Sequence, residues 1–271
     1  MLSVPPWGAR TRLTPTPPIV PETITTPLIL FLAGLVAGTL NVIAGGGSML
    51  TLPVMIFLGL PPTVANGTNR VAILIQNVGA SWSFHRRRLI SKEWLVLAIP
   101  PALLGAVLGT IAAVRIGDLA FQRVLAVVLV AVAAWTVWHP SKPPVEGDAA
   151  PPTGKKRWAY AGVFFLIGVY GGFIQAGVGF VVLAATSAAG LNLIRGNALK
   201  VTVVLAFTPL ALALFAWSGK VDWAMGFALA AGNLLGGLAG VRLQVLKGHT
   251  WVRGVVTVTI VLFAARLLFG G

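Results

Sequence analysis

Apolar runs separated by short polar breaks set the pattern of this chain. They fall at Leu28–Ala44, Ser48–Leu60, Val64–Phe84, Trp94–Val114 and Phe121–Trp138. They resume at Ala159–Ala176, Phe180–Leu191, Asn197–Trp217, Trp223–Val241 and Trp251–Phe269. A helix crossing a hydrocarbon layer of about 30 Å needs about 20 residues, and most of these runs come close to that. Ser48–Leu60 and Phe180–Leu191 do not, since 13 residues reach only about 20 Å at about 1.5 Å per residue. Leu28–Leu60 as one helix would be roughly 50 Å long, too long for a single crossing. The pattern therefore predicts that each half opens with a re-entrant helical hairpin or a helix pair with one incomplete member, followed by three fuller helices.

The halves are alike in detail. Asn66-Gly67-Thr68-Asn69-Arg70-Val71 lies opposite Gly196-Asn197-Ala198-Leu199-Lys200-Val201, and Glu93-Trp94 opposite Asp222-Trp223. Gly105 and Gly109 lie opposite Gly236 and Gly240, and Arg123 opposite Arg253, with the offset staying between 129 and 132. The expected organisation is a Pro-rich tail over 1–26, a first membrane repeat over 27–138, a polar linker over 139–158 and a second repeat over 159–271. An odd number of side changes per half makes the repeats inverted. The basic loops alternate accordingly: 85–93 carries Arg86, Arg87, Arg88 and Lys92 against Lys220 alone in its counterpart, whereas 242–253 is richer than 115–123. By the tendency of basic loops to be cytoplasmic, 85–93, the linker and 242–253 face inside. No signal peptide is expected within 1–26.

Composition removes the competing classes. The AVILMFWYC set makes up 57% of the 271 residues and charged residues 10%, with a mean hydropathy of +0.90. A soluble domain carries about 25% charge, so the fold class is all-α and polytopic in a membrane, with roughly 8–10 segments. The net charge of +14 punctuates apolar runs and reflects topology, so no nucleic-acid partner is expected. Cysteine is absent and the three His (His85, His139, His249) lie near loops, so no metal site or cofactor is expected. All six acids (Glu22, Glu93, Asp118, Glu146, Asp148, Asp222) lie in the tail, the linker or loops. That argues against a carboxylate proton relay, a carboxylate cation cage and hydrolytic chemistry, so no enzyme is expected.

The polar groups left inside the apolar runs are the candidate chemistry. Asn41, Gly45-Gly46-Gly47 and Ser48 precede one short helix, and Gln175, Gly177 and Gly179 precede the other. A broken membrane helix frees backbone N–H groups, and the N-terminus of the next helix presents positive potential to an anion. The second set is Asn66, Gly67, Thr68, Asn69 and Arg70, with Asn197 and Lys200 opposite, which would place one cation per half beside a shared anion. Gln76 and Asn77 could line the route. The competing reading of the glycines is close helix packing, preferred for Gly34, Gly38, Gly105, Gly109, Gly236 and Gly240. Arg70 could snorkel to an interface. Trp82, Trp94, Trp135, Trp138, Trp158, Trp217, Trp223 and Trp251 are expected to form interfacial belts.

Ala44-Gly-Gly-Gly-Ser-Met-Leu-Thr-Leu-Pro53, followed by Ala65-Asn-Gly-Thr68, resembles the first-half signature of the TauE/SafE sulfite-exporter family, also called the toluene sulfonate uptake permease family. The resemblance covers about 28–269. The second half departs from it, with Gly177-Val-Gly179, no proline matching Pro53, and Arg195-Gly196-Asn197-Ala198 in place of A-x-G-T. The resemblance implies an anion transporter of the cytoplasmic membrane, with sulfite or an organosulfonate as passenger and the lipid bilayer as its setting. Alternatives are a non-transporting membrane scaffold or assembly factor and an anion channel. Oligomeric state is open, a homodimer included.

Overall fold

The computed structural model describes residues 25–138 and 149–247, and they form an all-helical bundle. The expectations for the tail up to 24, the linker over 139–148, and Arg253 and the Trp251–Phe269 run lie outside the described residues. The helices are α1 (Thr25–Ala44), α2 (Ser48–Phe57), α3 (Pro62–Arg86), α4 (Lys92–Arg115), α5 (Asp118–Trp138), α6 (Gly154–Phe173), α7 (Val178–Ala188), α8 (Leu193–Trp217) and α9 (Trp223–Lys247). Among them, four are long and apolar enough to cross a membrane: α1, α4, α8 and α9. Leucines and valines on the outer faces, such as Leu104 at 66% and Val127 at 68% exposure, meet no protein, as a lipid-facing surface requires.

Glycines set the helix pairings. In α4, Gly105 and Gly109 lie against the carbonyls of Phe165 and Val169, while Gly168 and Gly172 of α6 lie against those of Ala102 and Ala106. In α9, Gly232 and Gly236 lie against the carbonyls of Phe31 and Leu35, and Gly34 of α1 against that of Leu229. Close backbone approach at small-xxx-small faces is how membrane helices pack when lipid removes the hydrophobic drive. Residue numbers rise together in both pairs, so α4 runs parallel to α6 and α1 parallel to α9. The reading of Gly34, Gly38, Gly105, Gly109, Gly236 and Gly240 as packing residues fits these contacts.

Direction resolves the choice left by segment length. Gly67 and Arg70 of α3 touch Phe215 of α8, while Ser81 bonds Thr202 at 3.1 Å, so α3 and α8 run antiparallel. Gln76 of α3 meets Gly237 of α9 and Val71 meets Gly226, so α3 runs parallel to α9 and hence to α1. Asn69 of α3 bonds both Ser48 and Thr51 at the start of α2, and a Cβ on Gly47 would strike the carbonyl of Ala37. The chain therefore folds back at Gly45–Gly47, and α1–α2 is a helical hairpin whose turn lies inside the bundle. The pair α6–α7 does the same from the other end of the bundle: Thr186 of α7 packs on Gly196 of α8, and Gly190 returns beside Ala149, just ahead of α6.

Two expectations shift. The linker ends earlier than 158, because α6 begins at Gly154 and takes Lys155-Lys156-Arg157 into its first turns. Trp94 is not part of an exposed belt: it is 1% exposed, and its Nε1 donates to the Ala149 carbonyl at 3.1 Å. Trp82, Trp158 and Trp217 do lie on the outside, the last at 94% exposure.

Candidate functional site

The two hairpin tips meet inside the bundle. Gly45 has φ +88, and a Cβ on it would lie 2.5 Å from Gly179 Cα, while a Cβ on Gly179 would lie 2.3 Å from Gly45 Cα. Only glycine permits this backbone contact, and at Gly45 the left-handed conformation requires it independently. Gly177 makes the second turn with φ +77. Beyond the turns, α2 begins at Ser48 and α7 at Val178, both buried. Neither N-terminus has a side-chain cap, so first-turn N–H groups face the interior without one.

The incoming helices end at the same depth, and their carbonyls are claimed by the opposite half. Arg70, on α3, donates from one terminal nitrogen to the Gly171 carbonyl at 3.2 Å and Gln175 Oε1 at 3.0 Å, and from the other to the Gly172 carbonyl at 2.6 Å. Its guanidinium lies 4.7 Å from the Phe215 ring centroid. Lys200, on α8, donates to the carbonyls of Asn41 at 2.7 Å and Val42 at 2.8 Å and to Asn197 Oδ1. The neighbouring amides repeat the exchange: Asn66 Nδ2 donates to the Phe173 carbonyl at 2.9 Å and Asn197 Nδ2 to that of Ile43 at 3.1 Å. Each cation thus caps the C-terminal end of the other half's first helix, where a positive charge opposes the helix dipole. Both are buried, and all the partners named for them are neutral oxygens, not carboxylates. Neither snorkels to an interface.

Between the tips lies a cavity of about 10 Å3, lined by Asn41, Asn77, Gln175, Gly179 and Lys200 together with apolar side chains of α3, α7 and α8. That is room for about one water, not for an oxyanion. Its polar rim is under-used. Gln175 Nε2 and both amide atoms of Asn77 are buried without a hydrogen-bond partner, a condition that costs about 1–3 kcal/mol per group. Asn41 Nδ2 is engaged with Gln76 Oε1 at 3.1 Å.

Of the residues singled out in the sequence, Asn41, Gln175, Gly179 and Lys200 come together at this cavity. Gly45, Gly46, Gly47, Ser48, Gly177, Asn197, Asn66 and Arg70 build the tips and their caps around it. Gly67, Thr68 and Asn69 serve elsewhere. Gly67 lets α3 approach the Lys220 carbonyl. Thr68 Oγ1 accepts from the Asp222 amide at 2.9 Å, and Asn69 anchors α2 through Ser48 and Thr51. Asn77 belongs to the cavity more fully than its place as a possible route residue suggested. Asn233 on α9, whose Oδ1 is also buried and unpartnered, packs against Gly34 and Gly38 of α1 and does not line this cavity.

Glycine-broken helices meeting inside a bundle with apolar outer faces are a feature that membrane transporters use. A family model described as "Sulfite exporter TauE/SafE" matches residues 30–267, and the chain belongs to that family. It is 29% identical over 246 residues to a "Probable membrane transporter protein" of Haemophilus influenzae, covering 89% of this chain and 94% of that one. It is 30% identical over 242 residues to "Probable membrane transporter protein ORF9" of a Sinorhizobium species, covering 88% and 91%. Against "Probable membrane transporter protein YfcA" of Escherichia coli K12 the identity is 28% over 247 residues, covering 89% of each. No solved structure matches.

Proposed function

We propose that this protein exports a small anion, sulfite or an organosulfonate, across the cytoplasmic membrane by alternating access between two inverted repeats. The observation that carries the proposal is a cavity between two helix N-termini whose rim holds the buried cation Lys200 and the unpartnered amide donors of Gln175 and Asn77, with the buried Arg70 bonded to Gln175 behind it and no carboxylate among the described partners of either cation. Such a setting favours negative charge. The antiparallel crossing of α3 and α8, whose sequences correspond, and the entry of the two hairpins from opposite ends support the inverted relation.

On this reading the anion accepts hydrogen bonds from Gln175 Nε2, Asn77 Nδ2 and the backbone amides at Gly46–Ser48 and Gly177–Gly179, with Asn41 alongside; the Gly45 amide is taken by the Asn41 carbonyl at 2.9 Å. Arg70, Lys200, Asn66 and Asn197 hold the tips in place and supply positive potential. The cavity must widen to admit the anion. Parting of the tips opens the cavity to one end or the other. An inside-negative membrane potential contributes about 2.3 kcal/mol per charge per 100 mV to anion efflux, so export requires no coupled ion.

The test is flux in liposomes holding the purified protein. Saturable, voltage-dependent sulfite or sulfonate movement that Gln175→Leu lowers at least tenfold is expected. A linear, non-saturating flux would mean a channel, and no flux for any of a panel of anions would mean a packing-only scaffold, whose glycines would show the same Gly45–Gly179 contact.

A further inference from the structure

The parallel arrangement of α4 and α6 places their first turns side by side at one end of the bundle, and a groove opens between them. It consists of two adjoining cavities of about 660 Å3 and about 430 Å3 that share Val96, Leu97, Gly154 and Arg157. Lys92, Lys155 and Arg157 line its outer part, with Glu93 as the one acid among the described residues that line it. That acid is turned to its own helix start, where it accepts from the Ser91 hydroxyl at 2.6 Å. Val96 and Pro101 line the inner part.

The two parts lie at different depths. Val96 and Pro101 sit about 6 Å and 14 Å along α4 from Lys92, at about 1.5 Å per residue. The polar interfacial layer of a bilayer is about 5–8 Å thick on each side. A cationic rim at headgroup level above an apolar wall at acyl level matches an amphiphile with a phosphate at one end. A soluble phosphate would leave the wall unused. Trp158, 79% exposed beside the groove and lining it, marks the interface as exposed tryptophans do. Val96 is 64% exposed, so the wall is open to lipid from the side.

We infer that the α4–α6 groove is a binding site for an anionic phospholipid, its phosphate held by Lys155 and Arg157 with Lys92, and its acyl chains lying against Val96 and Pro101. The site lies outside the cavity between the hairpin tips and does not depend on what the protein transports. Basic pockets between membrane helices recognise lipid headgroups through this combination of charge and depth.

The experiment uses the full chain in neutral detergent, titrated with phosphatidylglycerol, phosphatidylcholine or inorganic phosphate, with binding read by native mass spectrometry and by thermal shift. Phosphatidylglycerol is expected to bind at least tenfold more tightly than phosphatidylcholine. Lys155→Ala with Arg157→Ala should weaken it about 30-fold, each cation contributing about fivefold. Both side chains are exposed, so the double variant should keep the wild-type melting temperature without lipid; Lys155→Gln with Arg157→Gln serves if it does not. Equal binding of both lipids, retained phosphatidylglycerol binding in the variant, or full competition by inorganic phosphate would each overturn the assignment.

Discussion

Gly179→Ala tests the contact on which the central geometry depends. The new Cβ would lie 2.3 Å from Gly45 Cα and 2.8 Å from the Gly45 carbonyl oxygen. Favourable carbon contacts begin near 3.5 Å, so the tips must part by about 1 Å. Both sides of the clash are backbone, so no rotamer change relieves it. Overpacking of this kind costs about 1–3 kcal/mol, and backbone against backbone belongs at the upper end. In a chain of this size a loss of 2–3 kcal/mol lowers the midpoint by about 5–10 °C. Gly162→Ala is the control: a Cβ there meets nothing within 4 Å. In a helix that change should stabilise by about 0.5–1 kcal/mol. The assay is thermal unfolding of the detergent-purified protein by tryptophan fluorescence at one scan rate, because membrane-protein unfolding is read as an apparent midpoint. Opposite signs for the two alanines are expected. A Gly179→Ala midpoint within 1 °C (roughly 0.5 kcal/mol) of wild type would mean that the tips do not touch as described.

Lys200→Met strips the donor from three buried oxygens, each worth about 1–3 kcal/mol when left unmade; the midpoint should fall further than for Gly179→Ala, and a wild-type value would contradict the capping role. Asn77→Leu removes two buried, unpartnered amide atoms, so stability should hold or rise by about 1 kcal/mol while anion flux in liposomes falls at least tenfold; unchanged flux would remove Asn77 from the route. Trp94→Phe loses the bond to the Ala149 carbonyl and should cost about 1 kcal/mol, whereas Trp217→Phe, fully outside, should stay within about 0.5 kcal/mol in the same unfolding assay.

Much of the architecture is legible in the chain because a bilayer fixes how long a helix must be. The shortness of Ser48–Leu60 and Phe180–Leu191 exposes broken elements without any structural knowledge. Direction is not legible there: a short helix can complete a crossing or turn back, and only partners such as Asn69 for Ser48 decide. Arg70 and Lys200 stand out because cations within apolar runs are rare and functional. Their partners do not stand out, since Gly171 lies 101 positions from Arg70 and a main-chain carbonyl leaves no mark on a sequence. Their capping of the opposite half's helix ends is therefore visible only in the fold, where Lys200 also lines the cavity. Trp94 misleads through its place at a helix end, because nothing in the sequence reveals that Ala149 returns to cover it.

The division of charge explains why the two halves can differ in sequence and still perform one task. An uncapped helix N-terminus carries about +0.5 of a charge and a C-terminus about −0.5. At each tip an incoming C-terminus and an outgoing N-terminus lie close together and nearly cancel. Arg70 or Lys200 placed on the incoming carbonyls reverses the first contribution, so each tip becomes net positive by about one charge and the pair by about two. What the design requires is a cation within reach of two carbonyls, not a cation at one homologous position. Arg70 sits four residues after Asn66, whereas Lys200 sits three after Asn197, and both spacings return to the same helix face. A fork-shaped guanidinium and a point-like ammonium serve equally because each only has to span two successive carbonyls and one side-chain amide oxygen. On the proposed function, selectivity for the anion falls to the asymmetric members of the rim, Gln175 and Asn77, which lie opposite Gly45 and Phe207 at an offset of 130.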